Sequence, residues 1–184
     1  MRHHRTQWVI LGLLSHEPLS GYDIRRHIDE SIGFFWRESY GQIYPVLARL
    51  ARRGLVRRTV TAAARGGRRR HSYAITPAGR DALAAWLREP PEPEIVRNEL
   101  LLKTFFSDAL AAPILRSHIQ TFLARQRALA RYYAHGAAEI DAVKPARRRR
   151  AWSLTLRAGQ LIVAARIHWA EEALAALGNG RSSS

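Results

Sequence analysis

The sequence predicts a mainly helical α+β protein, with a two-stranded hairpin in its first half and antiparallel helices in its second. Three observations predict this class. The apolar spacing changes from a helical period to alternation within residues 56–75 and then returns to a helical period. An acidic, proline-rich segment covers residues 89–96. Two seven-residue patterns follow it, separated by Pro145. We therefore predict domains at 1–88 and 97–184, joined by a linker at 89–96.

The first domain begins with two predicted helices. Thr6–Leu14 places Trp8, Leu11 and Leu14 three residues apart and is followed by His16-Glu17-Pro18, which ends the helix. Ser20 is a suitable N-cap for a second helix. The apolar positions of that helix, spaced four apart, are Ile24, Ile28 and Ile32, and Gly33 ends it.

A third helix is predicted to begin near Ser39. Ser39 and Gln42 have the spacing of a capping box, in which each side chain accepts a backbone N–H. The apolar stripe of this helix is Ile43, Leu47 and Leu50. Pro45 comes early enough to be tolerated in an irregular first turn, and Gly54 is a typical stop.

A hairpin and a fourth helix complete the first domain. Residues 56–61 and 71–75 alternate in the manner of strands, and the tip between them contains Gly66-Gly67 and several arginines. Thr76-Pro77 has the form of an N-cap followed by proline at the first helical position. The order helix, helix, helix, hairpin, helix is that of a winged helix-turn-helix with a two-stranded wing, whose third helix enters the major groove of DNA.

The second domain is predicted to be helical throughout. A first segment covers 97–110, Pro113 opens a long helix, and another long helix follows Pro145. Two seven-residue patterns joined by a proline break indicate an antiparallel helical pair.

The charge distribution indicates a polyanionic partner. The chain has 30 Lys+Arg against 15 Asp+Glu, a net charge of +15. Ten arginines and no acidic residue lie in residues 39–80, which we call the basic window. The chain has no cysteine and no apolar run of the roughly 18 residues that a membrane span needs. We expect a cytoplasmic protein without a membrane partner.

These segments resemble the PadR family of bacterial transcription regulators over nearly the whole chain. The resemblance lies in Leu-Gly-Leu-Leu at 11–14, Pro-Leu-Ser-Gly-Tyr-Asp-Ile at 18–24, Ser-Tyr-Gly-Gln-Ile-Tyr-Pro-Val-Leu at 39–47, Gly-Leu-Val at 54–56 and Tyr-Ala-Ile-Thr at 73–76. Residues 97–103 and Trp169 resemble the helical domain of longer, virulence-activator-like members. The resemblance implies a homodimer built on the C-terminal helices, a repressor more often than an activator, and sometimes a small-molecule inducer. The Arg-rich hairpin tip departs from the family pattern.

The DNA-binding residues are predicted from the third helix and the wing. Phosphate contacts supply affinity, and side chains that reach base edges supply specificity. The predicted set is Tyr22, Ser39, Tyr40, Gly41, Gln42, Tyr44, Arg49, Arg65, Arg68, Arg69 and Arg70. Structural alternatives remain open: Ser39 and Gln42 could only cap the helix, Tyr22 and Tyr44 could pack in the core, and the tip arginines could be a solvated loop.

Aromatic residues of the second domain form a candidate dimerisation surface or effector pocket. They are Phe122, Tyr132, Tyr133, Trp152 and Trp169, and the alternative is that they pack the core. No catalytic set is recognisable, and His118, His135 and His168 are too widely spaced to indicate a metal site. We expect neither enzymatic activity nor a cofactor.

The predicted function is that of a sequence-specific regulator on double-stranded DNA. We expect a homodimeric repressor on a palindromic operator, released by a small-molecule inducer. Two alternatives stay open: a less specific nucleic-acid-binding or architectural protein, and a winged-helix module for protein contacts.

Overall fold

The computed structural model describes residues 5–33, 35–36, 40–61 and 70–179. The chain forms two compact units, Met1–Pro93 and Glu94–Ser184, so the division falls inside the acidic segment. The first unit contains α1 (Thr6–Leu14), α2 (Gly21–His27), α3 (Ile43–Arg52), β1 (Val56–Thr61), β2 (Arg70–Ile75) and α4 (Pro77–Arg88). The second contains α5 (Glu99–Phe105), α6 (Ala112–Asp141) and α7 (Ala146–Asn179). The predicted mainly helical α+β class is confirmed.

Helix α2 begins at the predicted cap. The Ser20 hydroxyl accepts a hydrogen bond from the Asp23 backbone N–H at 3.1 Å and donates one to the Asp23 carboxylate at 2.6 Å. The helix then continues as a wider π-helical stretch, Ile28–Ile32. Ile24 and Ile28 are buried as their spacing predicts.

Helix α3 starts later than predicted. A 3-10 turn, Tyr40–Gln42, precedes it, and its α-helical part begins at Ile43, while Ser39 lies outside the described residues. Pro45 is therefore the third residue of α3, in the first turn, where backbone N–H groups lack helical partners. The predicted apolar stripe is buried, together with Val46.

A glycine-dependent turn connects α3 to the hairpin. Gly54 has a φ of 69°, which a residue without Cβ adopts at low cost. Its N–H donates to the Ala51 carbonyl and the Leu55 N–H donates to the Leu50 carbonyl, both at 3.0 Å, as in a Schellman motif. The Thr76 hydroxyl donates to the Gly54 carbonyl at 2.7 Å and accepts from the Gly79 N–H at 3.1 Å. The start of α4 is thus attached to the end of α3.

The hairpin also pairs with the segment before α2, a contact that the sequence pattern did not predict. Strands β1 and β2 pair antiparallel with Val56 opposite Ile75 and Arg58 opposite Tyr73. The Leu19 N–H donates to the Tyr73 carbonyl at 3.1 Å, and the Tyr73 N–H donates back to the Leu19 carbonyl at 2.8 Å. Because of this pairing, the segment that leads into α2 is held against the wing.

The second unit is an antiparallel helical hairpin with α5 packed against it. Leu115 and Ile119 near the start of α6 pack in one cluster with Ala170 and Leu174 near the end of α7. Farther along, Tyr133 of α6 lies against Gly159 of α7, where an added Cβ would be 3.0 Å from the ring. The predicted antiparallel pair is confirmed.

Candidate nucleic-acid interface

A surface cleft of about 610 Å³ lies where α2, α3 and the hairpin meet. We call it the interface cleft. The residues that line it are Ser20, Gly21, Tyr22, Tyr44, Arg58, His71 and Tyr73. It unites Tyr22 and Tyr44, two of the predicted DNA-binding residues, with wing residues that the sequence analysis did not single out.

The two tyrosines are surface residues, not core residues. Tyr22 and Tyr44 are each 62% exposed. Tyr44 rests on the first residue of α2: a Cβ added to Gly21 would be 2.6 Å from Tyr44 Cε1 and 3.2 Å from its hydroxyl oxygen. The absence of a side chain at Gly21 therefore allows this position of Tyr44, whose ring stands at the start of the predicted recognition helix.

Arg58 and His71 extend the interface cleft onto the wing. Opposed residues of an antiparallel pair share a face, as do residues two apart on one strand. Since Arg58 is opposite Tyr73, and His71 is two residues from Tyr73, all three belong to one face. Arg58 and His71 are exposed. The alternation of β1 and β2 inside the basic window was the signal that could have identified them.

Five of the other nine predicted DNA-binding residues lie in the described part of the chain. Gly41 is exposed and Gln42 is half-buried, and both belong to the 3-10 turn before α3 with the backbone of Tyr40. Arg49 is half-buried in the last turn of α3, and Arg70 begins β2. Ser39, Arg65, Arg68 and Arg69 lie outside the described residues.

Arg53 illustrates that charge in the basic window also has structural uses. Its guanidinium donates to the Gln7 side-chain oxygen at 3.2 Å, which ties the end of α3 to α1. Gln7 is buried, so this hydrogen bond satisfies an amide that burial would otherwise leave unpaired.

The predicted aromatic residues of the second unit occupy different levels of the helical hairpin. Phe122 and Trp169 meet edge to face, with ring centroids 5.8 Å apart, and pack on the apolar cluster. Tyr132 and Tyr133 have ring centroids 6.2 Å apart. Tyr133 is 3% exposed, and this burial raises the pKa of its hydroxyl. Trp152 lies on the outer surface of α7.

A second cleft, of about 530 Å³, lies in the same unit and was not predicted. Leu102, Lys103, Phe106, Leu110 and His118 line it. At its edge the Lys103 ammonium lies 2.8 Å from a Glu99 carboxylate oxygen, and this hydrogen bond and charge hold the pKa of Glu99 below its usual range.

Neither a cluster of metal-binding side chains nor a membrane-spanning helix occurs in the described part of the chain. Within it, three or more His, Asp or Glu side chains nowhere gather as they would around a metal ion. None of the helices described is long and apolar enough to cross a membrane.

Family models match both halves of the chain. Residues 10–85 match the transcriptional regulator PadR-like family, and residues 96–178 match the virulence activator alpha C-term family. Among curated proteins, the negative transcriptional regulator PadR of Bacillus subtilis is 37% identical over 107 residues, which are 57% of this chain and 58% of that protein. A probable transcriptional regulator of Mycobacterium tuberculosis, Rv1176c, is 39% identical over 85 residues, 46% of this chain and 44% of that one. The chain thus spans about half the length of the curated relatives it matches.

Solved structures of relatives cover almost the whole chain. Bacillus subtilis PadR in complex with operator DNA superposes with a TM-score of 0.81 at 27% identity, covering 95% of this chain and 99% of that chain. The same protein has a structure with p-coumaric acid, with a TM-score of 0.72 at 28% identity and 94% of each chain covered. The Vibrio cholerae virulence activator AphA is 32% identical, with a TM-score of 0.71, and 94% of this chain and 98% of that chain are covered.

These relatives are regulators of transcription and not enzymes. Their winged-helix folds agree with the element order described above. The chain therefore belongs to the PadR-like family of transcriptional regulators, with a C-terminal half of the virulence-activator type.

Proposed function

We propose that this protein binds a specific operator in duplex DNA as a homodimer and represses transcription from it. The observation that carries the proposal is the interface cleft, in which two exposed tyrosines of the helix-turn-helix meet Arg58 and His71 of the wing. All four side chains can donate hydrogen bonds to phosphate oxygens. A surface that spans both elements can follow the backbone beside the groove that α3 enters.

The electrostatics of the basic window favour this partner. Each arginine that neutralises a phosphate releases condensed counterions, and no acidic residue in the window opposes that effect. The operator complex of Bacillus subtilis PadR supports DNA as the partner, and its description as a negative regulator supports repression.

Specificity is assigned to the start of α3. Gln42 immediately precedes α3 and is half-buried, so part of its side chain is accessible to a partner. A glutamine can bind adenine through two hydrogen bonds, and Gly41 allows close approach of the backbone to the duplex. Ser39 and Tyr40 complete this reading segment, and Arg49, Arg65, Arg68, Arg69 and Arg70 are assigned to phosphates or the minor groove.

The homodimer is assigned to the helices of the second unit. None of the seven residues of α5, all of them described, is buried, and Leu101, Leu102 and Phe105 are exposed there. Helix α7 carries a second apolar stripe at seven-residue spacing on its outer surface: Leu154, Ala158, Leu161 and Ala165. Exposed apolar surface of this kind is typical of a protein interface. Two-fold symmetry of the dimer would require a palindromic operator.

A small-molecule inducer completes the proposal. Bacillus subtilis PadR, whose fold covers 94% of this chain, has a structure with p-coumaric acid, and this supports an aromatic ligand for the present protein. The candidate residues are the aromatic ones of the second unit: Phe122, Tyr132, Tyr133, Trp152 and Trp169. Since they occupy different levels of the helical hairpin, we propose that one small ligand contacts a subset of them, such as the edge-to-face pair Phe122 and Trp169. Binding there would release the repressor if the ligand prefers the form that does not fit the operator.

The experiment is fluorescence anisotropy of the protein on the DNA upstream of its own gene, compared with a scrambled duplex across a salt series. We expect a preference of roughly 1,000-fold for the native duplex. Arg58→Ala should weaken binding to both duplexes. It should also reduce the slope of log K against log salt concentration by about 0.9 for each phosphate contact that is lost. Arg157→Ala, on exposed α7, is the matched control and should leave both unchanged.

Two outcomes favour the alternatives. Equal affinity for the native and the scrambled duplex, together with no preferred sequence from a library of selected sites, would support an architectural protein. Absence of salt-dependent binding to any DNA would support a module for protein contacts.

A further inference from the structure

Histidine is the residue type whose side chain changes charge near neutral pH, and His71 is the only histidine among the described residues that line the interface cleft. It lies on β2, opposite Val60, at the end of the hairpin face that also carries Arg58 and Tyr73. It is exposed, so its imidazole can reach a partner outside the protein.

The groups that face His71 are cationic or neutral. Arg58 comes from β1, Tyr73 from β2, Tyr44 from α3 and Tyr22 from α2. Arginine and tyrosine side chains keep their charge between pH 6 and 8. No carboxylate is among the described residues that line the cleft, and the basic window has none in its sequence. The Asp23 carboxylate lies behind the lining, where it accepts a hydrogen bond from the Ser20 hydroxyl. A protonated imidazole at this position would therefore be best stabilised by an anion from outside the protein.

We infer that His71 contacts a DNA phosphate in its protonated form, so that binding of the operator takes up a proton and becomes tighter as the pH falls from 8 to 6. This inference rests on the proposed function, since it assigns a role within the same DNA surface. It makes the affinity for the operator sensitive to pH in the physiological range.

The size of the effect follows from proton linkage. An ordinary imidazole titrates near pH 6.5, and a phosphate that stabilises its charged form tenfold would tighten binding about sixfold between pH 8 and pH 6. A dimer with two such contacts would gain roughly 40-fold, the square of that factor. At pH 6 each contact should also steepen the salt dependence by up to about 0.9 in log K against log salt.

The test is operator affinity at pH 6, 7 and 8, each over a salt series, for the wild type and three variants. His71→Gln keeps a hydrogen-bonding side chain without the charge, and His71→Lys keeps the charge at every pH. His27→Gln is the matched control, because His27 lies at the opposite end of α2 from the cleft. Circular dichroism and thermal unfolding verify that the exposed position tolerates each change.

We expect the wild type and His27→Gln to gain affinity at low pH, His71→Gln to bind weakly with little pH dependence, and His71→Lys to bind tightly without it. Retention of the full pH dependence in His71→Gln, or its absence in the wild type, would overturn the inference while leaving DNA binding intact. Lack of operator binding at every pH would overturn the proposed function as well.

Discussion

Gly21→Ala separates the stability of the first unit from its DNA affinity. The new Cβ would lie 2.6 Å from Tyr44 Cε1 and 2.9 Å from Cζ, closer than carbon atoms approach without a shift. Because the Tyr44 ring is 62% exposed, it can turn away into solvent instead of straining the core. The clash should therefore move the ring and leave the fold intact.

The magnitudes follow from these contacts. Alanine in place of a helical glycine stabilises the folded state by up to about 1 kcal/mol. A hydrogen bond from the Tyr44 hydroxyl to a phosphate contributes about 1.5–3 kcal/mol, so its loss should weaken operator binding roughly 10- to 150-fold per half-site. The variant should thus unfold at an equal or higher temperature and bind DNA less tightly.

The assay pairs thermal unfolding with fluorescence anisotropy on the operator. Gly12→Ala is the matched control, since it is also in a helix and its Cβ would meet nothing within 4 Å. Tyr44→Phe removes only the hydroxyl and should reproduce most of the loss of affinity. If Gly21→Ala binds the operator as tightly as Gly12→Ala, the position of Tyr44 is unimportant and the argument for the interface cleft is wrong.

Three other perturbations have defined outcomes. Gly79→Ala would place a Cβ on the Leu55 carbonyl oxygen and should destabilise the first unit by about 3 kcal/mol in urea unfolding; an unchanged midpoint would contradict the packing. Gln126→Met removes a buried amide oxygen without a partner and should stabilise the protein by about 1 kcal/mol, unless a lower melting temperature reveals that the amide is needed. Burial raises the pKa of the Tyr133 hydroxyl in the folded state above its value in the unfolded chain. The neutral hydroxyl therefore contributes fully to the free energy of unfolding below about pH 10, and this contribution is lost as the pH rises through the folded-state pKa. Tyr133→Phe should flatten this alkaline loss in thermal unfolding between pH 9 and 11, and an identical pH profile would refute the assignment.

Local signals in the sequence were sufficient for the helices, the hairpin and their order. Ser20 and Thr76 cap their helices through hydrogen bonds that span three residues, and Gly54 ends α3 through bonds to the preceding turn. These contacts depend on neighbours in the chain, so their residue types identify them. The late start of α3 was missed because a 3-10 turn and an α-helical turn share similar residue preferences.

Charge and family resemblance similarly indicated a DNA-binding regulator from the sequence alone. The acid-free basic window is a property of composition, and its position in the third helix and hairpin follows from the order of the elements. Which arginines face DNA does not follow from it. Arg53 is directed to Gln7 of α1, whereas Arg58 lines the interface cleft.

Only the tertiary structure decided the composition of the interface cleft. Its residues come from α2, α3 and two strands, and they meet because Leu19 pairs with Tyr73 and because Gly21 leaves space for Tyr44. Both contacts join residues more than 20 positions apart, and no local periodicity records them. The sequence by itself determined the type of each element and indicated that the chain binds a polyanion. Propensity, capping and net charge are sufficient for this because they act over short stretches. The packing of distant elements determined which side chains would meet that polyanion together.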